Sequence, residues 1–210
     1  MDLSELSEAV IKGDSNLVTK LTTQAIEEKM DLNEIINNGL IAGMNVIGER
    51  FKNNEIFIPE VMISAHAMHA GMELLKPLFK ASGIEPIGTV VIATVKGDVH
   101  DIGKNLVAMM FESAGFKVID LGIDVDTLKI ISAVKTHNPN ILALSTLLTT
   151  TLDNMKNIVE SLKTEGLRDQ VLIMVGGAAV NETYADELGV DGYAKDASLA
   201  VDKAKELLGI

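Results

Sequence analysis

Residues 89–103 read Thr89-Val90-Val91-Ile92-Ala93-Thr94-Val95-Lys96-Gly97-Asp98-Val99-His100-Asp101-Ile102-Gly103. The first seven form an apolar, β-branched run of strand length. A polar loop containing a glycine follows, and from Gly103 the apolar residues fall at helical spacing to residue 114. Strand, loop and helix in that order open a βαβ unit, and the chain beyond repeats the pattern. Further strands are predicted at 117–121, 140–145, 171–175 and 192–194. Helices are predicted at 126–137, 151–165, 180–188 and 197–208. Such alternation predicts a five-stranded parallel sheet, doubly wound in flavodoxin-like, Rossmann fashion.

Upstream the period is helical only. Leu3, Leu6 and Val10 make a short helix ended by Gly13. Asp14 is the next N-cap, ahead of Leu17, Val18, Leu21 and Ala25. Asp31 with Glu34 forms a capping box before Ile35, Ile36, Leu40, Met44 and Ile47. Pro59 suits the first turn of a fourth helix, which carries Met62, Ala65, Met68, Met72 and Leu75 along one side. Ala81-Ser82-Gly83-Ile84-Glu85-Pro86-Ile87-Gly88 reads as a linker. The expected architecture is therefore α/β, with a four-helix bundle over residues 1–83 and a doubly wound domain over residues 84–210.

The 210 residues hold 18 Lys and Arg against 30 Asp and Glu, a net charge of -12 that would repel a phosphate backbone or an anionic membrane. With aromatics at 3% and no Trp, little is available for stacking on bases. The absence of cysteine excludes disulfides, thiolate metal sites and a cysteine nucleophile. The beginning, Met1-Asp2-Leu3-Ser4-Glu5, is acidic and amphipathic, unlike a signal peptide. No apolar run approaches the ~20 residues of a membrane helix. A cytoplasmic protein with neither nucleic-acid nor membrane partners is expected.

Open α/β sheets bind ligands at the carboxyl ends of their strands, near the switch point of strand order. The loops to read are 96–103, 145–151 (Ser145-Thr146-Leu147-Leu148-Thr149-Thr150-Thr151) and 176–178 (Gly176-Gly177-Ala178). None carries the glycine pattern of a dinucleotide fold, and Gly103-Lys104 is followed by Asn105, not the Ser or Thr of a P-loop. A receiver domain wants an acid where Ser145 stands. A hydrolytic metal at Asp98, His100 and Asp101 would lack ligands from the other loops. Asp98 and His100, two apart in an extended loop, can meet. A carboxylate on one imidazole nitrogen fixes the tautomer and makes the other nitrogen a better metal ligand. One protein ligand suffices when the metal arrives inside a macrocycle, and Gly176 and Gly177 leave the backbone open to a long ligand. Taken alone, the pair also fits a capping or structural histidine.

Asp98-Val99-His100-Asp101-Ile102-Gly103 resembles the Asp-x-His-x-x-Gly motif of cobalamin-binding proteins. Ser145-Thr146-Leu147, 45 residues beyond His100, resembles their Ser-x-Leu element, and Gly176-Gly177 their glycine pair. Met44-Asn45-Val46-Ile47-Gly48-Glu49-Arg50-Phe51 and Phe57-Ile58-Pro59-Glu60-Val61 resemble the helical cap of cobalamin-dependent methionine synthase. The likeness spans nearly the whole chain and includes no other domain. It implies a small stand-alone corrinoid protein, a methyl carrier and not a complete enzyme alone.

The resemblance implies a role for each residue. His100 is the lower axial ligand to the cobalt of cobalamin or another cobamide, which alternates between methyl-Co(III) and Co(I). Asp98 bonds the other imidazole nitrogen, and the hydroxyl of Thr151 bonds Asp98. Gly97, Val99, Asp101, Ile102, Gly103 and Leu147 complete the loops that bind the cofactor. Ser145 contacts the displaced base, Thr149 and Ala197 line the nucleotide slot, and Gly176, Gly177 and Ala178 admit the tail. Phe51, Ile58 and Val61 cover the methyl-bearing face. The implied partners are a substrate:corrinoid methyltransferase, a second methyltransferase acting on an acceptor such as tetrahydrofolate or coenzyme M, and a reductive activase.

Two other classes share the cofactor loop. A cobalamin-dependent regulator or sensor normally adds a DNA-reading helical domain, but here the N-terminal helices match the cap and the charge is acidic. A mutase subunit lacks such a cap. His66 and His69, three apart on the fourth helix, could pair on a zinc ion or reach the upper face of the cofactor, and otherwise read as bundle-edge histidines.

Overall fold

Local capping starts the helices where the sequence places them. The computed structural model describes residues 2–82 and 86–210. Asp2 accepts from the Ser4 N–H at the head of α1 (Leu3–Ile11), and Asp14 from the Leu17 N–H at the head of α2 (Ser15–Glu27). Asp31 accepts from the Glu34 N–H at 3.2 Å in α3 (Leu32–Glu34). Glu60 accepts from the Phe57 N–H at 2.7 Å, just before α5 (Ile58–Ser82). Pro59 lies in the first turn of α5, where its missing N–H has no intrahelical partner to lose.

The third predicted helix is not regular. α3 passes into a π-helical segment, Ile35–Ile41, and then into α4 (Ala42–Lys52). The apolar residues Ile35, Ile36, Leu40, Met44 and Ile47 remain buried through this change, so their spacing gave no sign of it. Two glycines let α1 approach closely: a Cβ on Gly39 would lie 2.6 Å from the Leu6 side chain, and one on Gly43 2.7 Å from the Ser7 carbonyl oxygen. Fully buried Leu6, Ile35, Leu40 and Leu75 centre this unit. Each contributes about 1.5–3 kcal/mol, so packing rather than helix propensity holds the bundle together.

The chain divides into a helical unit ending near Pro86 and an α/β unit beginning at Ile87. Gly83, Ile84 and Glu85 of the expected linker, and with them the expected boundary, lie outside the described residues.

In the second unit, β1 (Thr89–Thr94), β2 (Lys117–Asp120), β3 (Ile141–Ser145), β4 (Leu172–Gly176) and β5 (Gly192–Tyr193) form a parallel sheet of order β2-β1-β3-β4-β5. α6 (Ile102–Ser113), α7 (Thr127–His137), α8 (Leu152–Thr164), α9 (Glu182–Leu188) and α10 (Ala197–Leu208) connect and follow the strands. Val90, Val91, Ile92 and Ala93 are buried in succession, as befits a central strand covered on both faces. Strand order reverses between β1 and β3. There Thr94 pairs with Ser145, and Ser145 with Gly176. The loops after β1, β3 and β4 therefore leave the sheet at one level, side by side.

Candidate functional site

β1 delivers Asp98 into the gap between these loops. Its side chain is fully buried. Oδ1 accepts from the His100 backbone N–H at 2.9 Å and meets His100 Nδ1 at 2.6 Å. Oδ2 accepts from the Thr146 hydroxyl at 2.8 Å, the Leu147 N–H at 2.6 Å and, more weakly, the Leu148 N–H at 3.3 Å. Burial by itself raises the carboxyl pKa. The N–H groups of His100 and Leu147, with the His100 ring and the Thr146 hydroxyl, outweigh it and hold Asp98 far below the usual carboxylate range. Asp98 is thus an acceptor only, which places the imidazole proton on Nδ1 and leaves the Nε2 lone pair for a ligand.

The backbone of His100 is held as well. Buried Thr94, on β1, donates its hydroxyl to the His100 carbonyl at 2.9 Å. The imidazole itself stays half exposed, at 50% of its side-chain surface. Val99 on the same loop, Ile102 at the head of α6, Ile123 after β2, and Leu147 and Leu148 after β3 are all exposed large apolar side chains. A solitary imidazole with a free Nε2, set among apolar side chains at the carboxyl end of a sheet, fits a broad apolar macrocycle that brings its own metal. Among the described residues there is no group of three His, Cys, Asp or Glu that could hold a bare metal ion.

The expected Thr151–Asp98 bond is corrected by the structure. Thr146, buried in the middle of Ser145-Thr146-Leu147, makes that bond. Thr151, in the 3-10 turn Thr149–Thr151, stands behind it, with its Oγ1 2.5 Å from that of Thr146 and 2.9 Å from the Leu148 carbonyl. Thr146 was missed because nothing in its spacing separates it from its neighbours. The signal that could have found it is its place one residue past the end of β3, beside the Asp98 loop.

Gly177 also meets a constraint within the chain itself. Its φ is +107°, and a Cβ there would collide with the carbonyl oxygen of Thr146. The glycine admits the chain's own β3–α8 loop, the one that holds Asp98. Gly176 lies 3.0 Å, measured from an added Cβ, from the Ala194 carbonyl oxygen. Of the other expected residues, Gly97, Asp101, Gly103, Thr149 and Ala178 are exposed and Ser145 is half-buried. Ala197 is buried as the first residue of α10, behind its cap Asp196, and presents almost no surface to a ligand. In the helical unit, Val61 is fully buried, Phe51 is half-buried and Ile58 is exposed. Val61 therefore offers no surface of its own, whereas neighbouring Phe57 is 72% exposed.

This geometry fits a protein that binds a metal-bearing macrocycle. A B12 binding domain model matches residues 88–202, and a second B12 binding domain model matches residues 3–76. The chain is 47% identical to a dimethylamine corrinoid protein of Methanosarcina barkeri, over 98% of this chain and 97% of that one. It is 41% identical to a corrinoid protein of Desulfitobacterium hafniense, over 99% and 97% respectively. Among solved structures, it resembles a chain of the methanol:cobalamin methyltransferase complex of Methanosarcina barkeri, with a TM-score of 0.88 at 32% identity, covering 99% of this chain and 79% of that one. A cobalamin-binding protein of Desulfitobacterium hafniense matches with a TM-score of 0.81 at 35% identity, covering 99% and 98%. The chain belongs to the B12-binding corrinoid protein family.

Proposed function

We propose that this chain carries a methyl group on a cobamide between two methyltransferases. The observation that carries the reading is the 2.6 Å Asp98–His100 contact, with Nε2 left free among exposed apolar side chains. When bound, the corrinoid supplies a cobalt that accepts a methyl group and gives it up again. The chain's own work would be to hold that metal through His100 Nε2. Asp98 Oδ1 holds the proton on Nδ1, and Thr146 with the Leu147 N–H holds Asp98 ionised. Val99, Ile102 and Leu147 keep water from the face they cover.

The partners in this reading are a substrate:corrinoid methyltransferase, an acceptor methyltransferase and a reductive activase. Relatives named as dimethylamine and trimethylamine corrinoid proteins, and the likeness to a chain of a methanol:cobalamin methyltransferase complex, support the first of these. The donor chemistry belongs to the partner enzyme. No helix among the described residues is long and apolar enough to cross a membrane, and we place the protein in the cytoplasm with its partners.

The test is reconstitution with cobalamin. The expected product has a base-off, histidine-on spectrum, and its Co(II) form shows nitrogen coupling that changes when the histidines are 15N-labelled. A spectrum with the cofactor's own base still bound, or coupling indifferent to the label, would refute the assignment.

A further inference from the structure

The loop after β2 grips the Asp98 segment from the side away from β3. Asp124 accepts the Gly97 N–H on its carboxylate Oδ1 at 2.8 Å. Its own backbone N–H donates to the Asp98 carbonyl at 2.9 Å. One residue thus holds the two-residue stretch Gly97–Asp98 at its first N–H and its last carbonyl. At the far end of the same segment, Lys104, buried in the first turn of α6, forms an ion pair with Asp120 at the end of β2. Asp120 Oδ1 in turn accepts from the Gly122 N–H at 2.8 Å. Residues 97–104 are therefore tied at both ends to residues 120–124, with His100 near the middle.

The backbone of Asp124 adds a second argument. Its φ is +50°, in the left-handed region that favours glycine. Glycine would sit there at less conformational cost, so a side chain kept at this position is explained by what it bonds. It bonds the Gly97 N–H. Gly97 is itself left-handed at +82°, so its amide direction depends on being held. The adjoining residue, Ile123, is an exposed apolar side chain.

We propose that Asp124 is a positioning residue for the axial histidine: by bonding the Gly97 N–H and the Asp98 carbonyl it sets where Asp98, and through it His100, stands. The proposal rests on His100 being the cobalt ligand. Asp124 touches neither the imidazole nor the cofactor in this scheme and acts only through Asp98.

The experiment compares Asp124→Gly with Asp124→Asn in the full chain. Glycine keeps the left-handed backbone and removes the acceptor, whereas asparagine tolerates that backbone and restores an acceptor oxygen. Melting of the cofactor-free proteins is measured first, then aquocobalamin affinity, then the 15N-histidine coupling of bound cob(II)alamin. The glycine variant is expected to melt at or above the wild-type temperature, to bind about tenfold more weakly, and to lose a large part of the coupling. The asparagine variant should match wild type in all three. Unchanged affinity and coupling in Asp124→Gly overturn the proposal, as does a large drop in melting temperature in both variants, which would make Asp124 a plain fold residue. Absence of histidine coupling in the wild type would overturn the axial assignment, and this inference with it.

Discussion

The hydroxyl of Thr146 donates to Asp98 Oδ2 over 2.8 Å and meets the hydroxyl of Thr151 behind it at 2.5 Å. Two hydroxyl protons are thus offered to three acceptors: Asp98, the other threonine, and the Leu148 carbonyl. The charged acceptor has the strongest claim, so Thr146 gives its proton to Asp98. Thr151 is left to choose between Thr146 and Leu148.

This order ranks two substitutions. Thr146→Val keeps the shape and removes a donor from a buried carboxylate, at a cost of about 1–3 kcal/mol. Thr151→Val leaves the Asp98 bond in place and should cost less than half as much. Urea unfolding of the cofactor-free proteins checks the ranking, and a larger loss at Thr151 would reverse the assignment.

Asp98→Asn turns one acceptor oxygen into a donor that faces N–H or O–H groups on either side. The variant should lose ~2 kcal/mol or more of stability and leave the Nδ1 proton less firmly held. Cobalamin should still bind, with weaker histidine coordination and a shifted Co(II)/Co(I) potential. A potential equal to wild type, measured by spectroelectrochemistry, would remove Asp98 from control of the ligand.

Gly177→Ala tests the packing of the β3–α8 loop. The new Cβ meets the Thr146 carbonyl oxygen at a φ of +107°, so the loop must shift or the backbone strain. Strain of this kind costs on the order of 1–3 kcal/mol before any clash is counted. The expected result is a clear fall in melting temperature, together with weaker cobalamin binding, because Thr146 moves with the loop. Normal melting would show that the loop yields freely.

Tyr184, on α9, gives a pH dependence remote from the histidine. Its hydroxyl donates to the Leu152 carbonyl at 2.7 Å. Burial, and after it the charge of Asp153, hold the phenol above its ordinary value of 10.0. The folded chain therefore keeps this proton more tightly than the unfolded one. The resulting stability is complete below pH 10 and is lost as pH climbs from there toward the folded value. Tyr184→Phe should be about 1 kcal/mol less stable at neutral pH and should lose ground more slowly above pH 10. Parallel slopes from urea midpoints between about pH 8 and 11 would contradict this.

What the sequence determined by itself is what depends on neighbours along the chain. Asp14 and Asp31 cap helices three residues away, so their side chains and the N–H groups they satisfy lie within one turn. Period-2 and period-3.6 patterns separated the helical unit from the parallel sheet, and the strand order put the ligand loops at the carboxyl end of β1 and β3. The Asp98–His100 contact was legible for the same reason, since two residues of extended loop bring those side chains together whatever surrounds them. Spacing is silent on which of several chemically equal groups arrives from a distant segment. Thr146 and Thr151 both follow β3, and only the register of Ser145 against Thr94 and Gly176 puts the former on Asp98. Asp124 is one acid among thirty acidic residues until the fold brings it to Gly97, 27 positions earlier. The reason Gly177 is glycine lies in the backbone of Thr146, and the π-helical turn at Ile35–Ile41 leaves the buried apolar positions unchanged. A hydrogen bond is made or lost over a few tenths of an ångström. Such distances are set by how strands and loops pack, and no residue pattern records them.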